Sequence, residues 1–401
     1  MRYKKIVGDA FLNVIASSVP LVLLQLALLP LIAARVTDDE YGLVVTLVAL
    51  LSLVPTTLGN VLNNVRLLQC AESDDRQPSS SFSLIVLVST AIAVLVTFCV
   101  AVYYAGGVNP TSTGMALLAF LAVYREYLMV SYRLDLNYRA IVASSFYLAV
   151  GYLVGYGLFA LTGWWELVYM VGLASSLAYM LLTTHLWREP LSPDSQLAGS
   201  AKDTAVLFAS SMLGRSTTYA DRMVIFPMLG GFEVSVYYVA TLFGKILSMG
   251  VSPVSSVMLS YLARLKARPK RAFWYSLGLG LALSLVAYGI TIGLSRPVLL
   301  LLYPQFADQA MDYVWLVTIT AYVNVLVSIA DPYVLRFLSL KWQVFENGLF
   351  CLLYFALALT LLGSFGLMGF CLGSLIATGA KLVFLLLVYC FAESKSSHNA
   401  R

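Results

Sequence analysis

Five basic side chains stand in stretches of sequence that otherwise carry almost no charge: Arg125, Arg215, Arg222, Lys245 and Lys381. Two acids, Glu126 and Asp221, lie equally deep in such stretches, and Asp331 lies nearer the end of another. An ionised group held in hydrocarbon costs about 2.5–3.5 kcal/mol on insertion scales, so it persists where a partner or a ligand uses it. Cations in excess of acids suit an anionic ligand, and the planar guanidinium fork matches phosphate oxygens. Neutral polar residues accompany these charges at helical spacing. They include Ser211, Thr218 beside Arg215 and Arg222; Tyr238, Thr241 and Ser248 beside Lys245; and Ser374 and Thr378 before Lys381. Ser52, Thr56, Asn60 and Asn63 form another set, Asn13, Ser17 and Gln25 another, and Thr320, Asn324, Ser328 and Asp331 a last. A 3.6-residue period puts each set on one helix face. Such a face either knits helices together through hydrogen bonds or lines a hydrated cavity, and the spacing alone leaves both readings open. Neighbouring residues on a helix project about 100° apart, so Asp221 and Arg222 are expected to meet different helices. Asp221 is then an ion-pair partner or the carrier of a coupling proton. Arg125 and Glu126 are a pair across two helices or a part of the cavity lining.

The elements that must position these groups are set by composition. Of 401 residues 60% are apolar and 11% charged, against about 25% charged in an ordinary soluble domain. A bilayer accepts that much apolar surface, and a spanning helix needs about 20 apolar residues. Apolar runs of that length fall at 11–34, 42–65, 82–104, 113–132, 140–161, 165–187, 206–229, 234–260, 272–295, 313–334, 343–362 and 367–391. The fold expected is therefore an all-α membrane protein of about twelve transmembrane helices. The basic start Met1-Arg-Tyr-Lys-Lys5 opens an apolar run to about Ala34, too long for a cleaved leader, so a retained first span is expected. Short breakers such as Gly106-Gly107, Asn109-Pro110, Thr162-Gly163 and Gly230-Gly231 separate the runs. The segment from Arg296 to Asp312 reads as the longest outer loop, with a turn at Tyr303-Pro304.

Basic residues divide unevenly between the two sets of connecting segments. One set holds 18 of the 25 Lys and Arg, from Arg2, Lys4 and Lys5 through Arg66, Arg133 and Arg188 to Arg264–Arg271, Arg336 and Arg401; the other holds Arg35 and Arg296. Lys and Arg accumulate on the cytoplasmic side, which places both termini there in a cytoplasmic (inner) membrane. A polar, proline-bearing stretch from Arg188 onward falls near the midpoint. It suggests an N-terminal six-helix lobe over 1–190, a cytoplasmic linker over 191–205 and a C-terminal six-helix lobe over 206–401, in parallel orientation. Pro20, Pro30, Pro55, Pro227 and Pro253 interrupt the first, second, seventh and eighth runs and permit kinks there. Gly151…Gly155 and Gly369…Gly373 have small-residue spacing for close helix packing.

Several function classes are excluded. Cys70, Cys99, Cys351, Cys371 and Cys390 are scattered, His185 and His398 have no ligand partners nearby, and no metal site is expected. No phosphate loop of Walker type appears, so ATP hydrolysis is not expected and no cofactor is implied. The net charge of +5 belongs to membrane topology rather than to nucleic acid.

In order and spacing, Asp39-Glu-Tyr-Gly42, Gly59…Arg66, Asp221-Arg222, Gly230-Gly231…Tyr237 and Leu302-Tyr-Pro304 resemble a polysaccharide flippase. The family is the O-antigen and capsule type of the multidrug/oligosaccharidyl-lipid/polysaccharide exporter superfamily. The resemblance implies two six-helix lobes around a central cavity, no enzymatic activity, and transport of a polyprenyl-diphosphate-linked oligosaccharide by alternating access. Under it Arg215, Arg222 and Lys245 hold the diphosphate, with Arg125 and Lys381 contributing, while Asn60, Asn63 and Gln25 contact sugar hydroxyls. Asp221 is the coupling candidate. The partners implied are the lipid-linked glycan, membrane lipids, a coupling proton or sodium ion, and a glycan polymerase or glycosyltransferases. The alternatives are a multidrug/cation antiporter of the same superfamily and a membrane-embedded glycan polymerase or ligase; short outer loops argue against the last.

Overall fold

The computed structural model describes residues 18–72, 82–191, 197–247, 258, 262, 268–337 and 340–391. All regular structure among them is helical. The chain divides into two compact units, Met1–Met223 and Val224–Arg401.

In the first unit, α1 (Ser18–Ala33) contains a π-helical stretch, Leu24–Leu28. Pro30 lacks the N–H that a regular turn would use there, and the wider turn accommodates the gap. Helix α2 (Asp38–Leu53) starts on a capping box: Glu40 N–H donates to Thr37 Oγ1, and Thr37 N–H donates to Glu40 at 3.0 Å. Three acids in its first turn, Asp38, Asp39 and Glu40, also complement the positive end of the helix dipole. Pro55 then starts α3 (Pro55–Glu72) after a break at Val54, so one apolar run yields two helical segments. Helix α4 spans Phe82–Tyr104 and α5 spans Pro110–Leu134, the latter opened by an Asn109–Ser112 capping box with Pro110 in its first turn. Helix α6 (Tyr138–Thr162) ends at Gly163, whose φ of 77° is open to glycine without strain, and α7 spans Glu166–Thr183. The α6–α7 pair is close: a Cβ at Gly151 would strike Ser175 and Gly172, and one at Gly155 would strike the Leu167 carbonyl. Small-residue spacing therefore serves packing. Helix α8 (Leu197–Leu229), with Pro227 inside it, crosses from the first unit into the second.

In the second unit α9 spans Gly231–Ala240, α10 spans Lys270–Leu302, α11 spans Ala307–Phe337, and α12 spans Leu340–Phe391. At 52 residues α12 is not one rod, because Gly366 (φ 58°, ψ −146°) leaves the helical region. Gly369 packs on the Leu361 carbonyl, Tyr354 faces Phe370 edge-on, and Phe384 meets Phe345. The two halves of α12 are thus an antiparallel hairpin, matching the runs 343–362 and 367–391.

Eight helical segments among the described residues are long and apolar enough to cross a membrane, and the chain is a multi-pass α-helical membrane protein. Large apolar side chains such as Leu95, Leu161, Leu285, Val286 and Phe391 face outward, as lipid contact requires. One expectation fails. The outer loop read as Arg296–Asp312 shrinks to residues 303–306, because α10 runs on through Pro297 to Leu302 and α11 starts at Ala307. A helix long enough to outrun the hydrocarbon carries Arg296 beyond it, where Arg296 meets Asp308 at 3.5 Å, both exposed.

Candidate functional site

Each unit has its own polar centre. In the first, α3 crosses α5 so closely that a Cβ at Gly59 would lie 2.6 Å from Glu126 Cβ. That approach sets Asn63, 1% exposed, against α5, where its amide donates to the Glu126 carbonyl at 2.9 Å. Arg133 donates to Asn63 Oδ1 at 3.1 Å. Arg125 pairs with the Glu126 carboxylate and donates to Ser176 Oγ of α7 at 3.3 Å, and Ser176 bonds Ser144 of α6 at 2.8 Å. Four helices therefore share one network in which the deep cation has its own carboxylate. Asn60, a turn away, donates to the Thr56 carbonyl of its own helix at 2.9 Å. Gln25 sits on the π-helical turn of α1, and its Oε1 is buried without a hydrogen bond.

Arg125–Glu126 is a pair within α5 and not between two helices, and Asp221 and Arg222 behave likewise. Asp221 Oδ1 accepts from the Arg222 backbone N–H at 2.9 Å and lies 3.9 Å from Arg222 Nε, with both residues 6% exposed. The expectation that adjacent residues diverge is overridden because the arginine stem is long enough to fold back across that angle. Arg215, two turns earlier on α8, is half-buried and has no carboxylate partner among the described residues.

In the second unit Lys245 lies 3.1 Å from the centre of the Tyr238 ring and donates to the Tyr238 carbonyl at 3.3 Å, a cation–π arrangement. Lys381, on the second half of α12, lies 3.2 Å from Glu346 Oε1 and donates to Asn347 Oδ1 at 3.3 Å. Ser248 of the polar stripe beside Lys245 and the proline Pro253, like Asn13 and Ser17, lie outside the described residues.

Two buried charged residues escape the sequence reading. Glu346 is 2% exposed, a deep acid placed by its number at the mouth of a span. With it, the five cations singled out from the sequence stand against four carboxylates among the described residues, Glu126, Asp221, Asp331 and Glu346, and the excess among them narrows to one. Arg66, counted among connecting segments, is 2% exposed and bonds both the Tyr127 hydroxyl and Glu189 (2.6 Å), with the Phe82 ring 5.4 Å away. Its place three residues after Asn63, on the same face, was the available signal. Among the described residues no group of three His, Cys, Asp or Glu is arranged to hold a metal ion.

No protein-family model and no curated protein matches the sequence. Solved structures do. The chain is similar to "Lipid II flippase MurJ, inward closed conformation" with a TM-score of 0.69 and 16% identity, over 94% of this chain and 86% of that one. It is similar to an inward-facing multidrug resistance MATE family transporter of the MOP superfamily at a TM-score of 0.66 and 11% identity, over 94% and 98% of the two chains. An outward-facing MATE structure gives 0.64 and 12%, over 96% and 94%. The chain accordingly shares the fold of these solved structures.

Proposed function

We propose that the chain is a secondary transporter that moves an amphiphilic molecule across a cytoplasmic membrane by alternating access. The observation that carries this reading is the whole-length likeness to inward-facing and outward-facing structures of one transporter superfamily. Twelve spans in two six-helix lobes, 1–190 and 206–401 about a linker at 191–205, with both termini cytoplasmic, belong to the proposal.

Two substrate classes follow, and the better supported is the multidrug/cation antiport of the MATE relatives. The near balance of deep charge is compatible with a cationic substrate, since Arg125, Arg222 and Lys381 each stand beside a carboxylate. A specific observation favours the second reading, flipping of a polyprenyl-diphosphate-linked glycan. Arg215 is a deep guanidinium with no carboxylate partner among the described residues, and the flippase MurJ is among the similar structures. Under that reading Arg215 is the first phosphate contact, and Arg222, Lys245, Asn60 and Gln25 are further candidates.

Reconstituted vesicles decide between them. Export of a fluorescent organic cation driven by an imposed ion gradient supports antiport. Flipping of a fluorescent polyprenyl-diphosphate sugar, slowed at least about tenfold by Arg215→Ala, supports the glycan reading; a tenfold loss corresponds to about 1.4 kcal/mol of lost interaction. Movement of neither probe, in either direction, removes the transport proposal.

A further inference from the structure

We infer that α8 is pinned at both ends to the first unit, with Gln69 of α3 and Tyr104 of α4 as its positioning residues and its open middle as the stretch that meets a ligand. Burial along α8 is uneven. Over residues 197–223 the buried positions stand only at the two ends, Ser200 and Thr204 at one and Asp221 and Arg222 at the other. From 205 to 220 no residue is buried, and a Cβ at Gly214 would project into open space. That open stretch carries Ser211, Arg215 and Thr218 on one helix face.

Each buried end coincides with a fastening. At the first, the Gln69 amide donates to Ser200 Oγ at 2.7 Å, and Thr204 Oγ1 donates to the Ser200 carbonyl at 2.8 Å. Three residues earlier on α3, Arg66 holds Glu189 at 2.6 Å, so successive turns of α3 grip the chain at residue 189 and again at residue 200. At the second end the Tyr104 hydroxyl donates to the Met223 carbonyl at 2.5 Å. In a regular helix that carbonyl would accept from the N–H four residues on, and that residue is Pro227, which has none. Tyr104 therefore supplies the donor that the helix lacks, and a carbonyl withdrawn from water without one is costly.

Gln69, Ser200, Tyr104 and Met223 all belong to the first unit. Chain order makes α8 the opening helix of the second lobe, so repeat order and mechanical attachment differ for this span. A helix packed along its length is held by side-chain interdigitation at every turn; one that is open along its middle is held by its ends. The ligand role of the open stretch rests on the transport reading given above; the pinning does not.

Paired spin labels on the reconstituted full chain, its five native cysteines replaced by alanine, read the attachment as distance distributions. Exposed positions serve: Leu95→Cys with Leu213→Cys for the α4 end, and Leu68→Cys with Val206→Cys for the α3 end. Each pair is expected to give one narrow distribution, the same before and after an ion gradient is imposed. Tyr104→Phe is expected to broaden the first and Gln69→Ala the second. Pro227→Ala alone should leave the first narrow, and added to Tyr104→Phe it should restore it, because residue 227 then brings its own N–H. The pinning is overturned if Tyr104→Phe and Gln69→Ala both leave narrow distributions, or if Pro227→Ala restores nothing. Distances that respond as expected while neither transport probe moves support the pinning and remove the ligand role of the open stretch. Transport with unresponsive distances does the reverse. Transport at the native rate by the Tyr104→Phe, Gln69→Ala double variant, its distances broadened, overturns the assignment of these two as positioning residues.

Discussion

The two polar centres hold a deep cation in different ways. In the first unit Arg125 pairs with Glu126 in a balanced pair and donates to Ser176, which bonds Ser144 in turn, so the pair is tied into a network of several helices. In the second, Lys381 directs its ammonium to the Asn347 amide at 3.3 Å and meets Glu346 as a charge at 3.2 Å, and both partners lie on the first half of one hairpin. A closed network is a brace. The difference teaches that a deep ion pair is not informative by itself; the hydrogen bonds that close around it are.

The comparison is tested hardest by removing one acid from the balanced site. Glu126→Ala strands Arg125 and is expected to lower unfolding stability by about 3–5 kcal/mol at every pH at which the protein folds, read by denaturant unfolding in micelles. If the loss proved below about 1 kcal/mol, the first centre would not be a brace. Lys381→Met removes the charge beside Glu346 and is expected to cost about 1–3 kcal/mol in the same assay. A loss as large as that of Glu126→Ala would make the two centres alike.

Smaller effects separate neighbours on α3. Asn63→Ala leaves the Glu126 carbonyl and Arg133 short of a partner and should cost about 1–3 kcal/mol in the same assay. Asn60→Ala removes only a bond to its own helix and should cost less than about 1 kcal/mol. Equal losses at the two positions would show that the network ends elsewhere.

Much of the local structure was legible because it depends on near neighbours in the chain. The run 82–104 is Phe82–Tyr104, the Asn109-Pro110 and Thr162-Gly163 breaks are a helix start and a helix end, and Gly230 turns α8 into α9 at φ 98°. Helix lengths were less legible, since nothing in the hydropathy of α10 marks where a helix leaves the hydrocarbon and continues. Of the candidate residues, Arg125 and Glu126 were legible as a pair across two helices or as cavity lining, whereas they pair within α5. Lys381 was not matched to Glu346, because the hairpin at Gly366 brings together residues 35 apart and periodicity reports one helix at a time. Arg66 was hidden for a related reason: its partners Tyr127 and Glu189 arrive from α5 and from beyond α7.

Sequence by itself determined that this chain lives in a bilayer as a set of helices, because apolar run length and charge scarcity answer directly to the thickness and dielectric of the hydrocarbon. It also marked some of the charges that stand within spans, Arg125, Asp221, Arg222 and Lys381 among them, and missed others such as Arg66 and Glu346. Only the tertiary structure decided which of those charges neutralise one another. Pairing energies depend on distances between helices, and those distances are set by packing at positions such as Gly59 and Gly373, where the absence of a side chain lets two backbones meet.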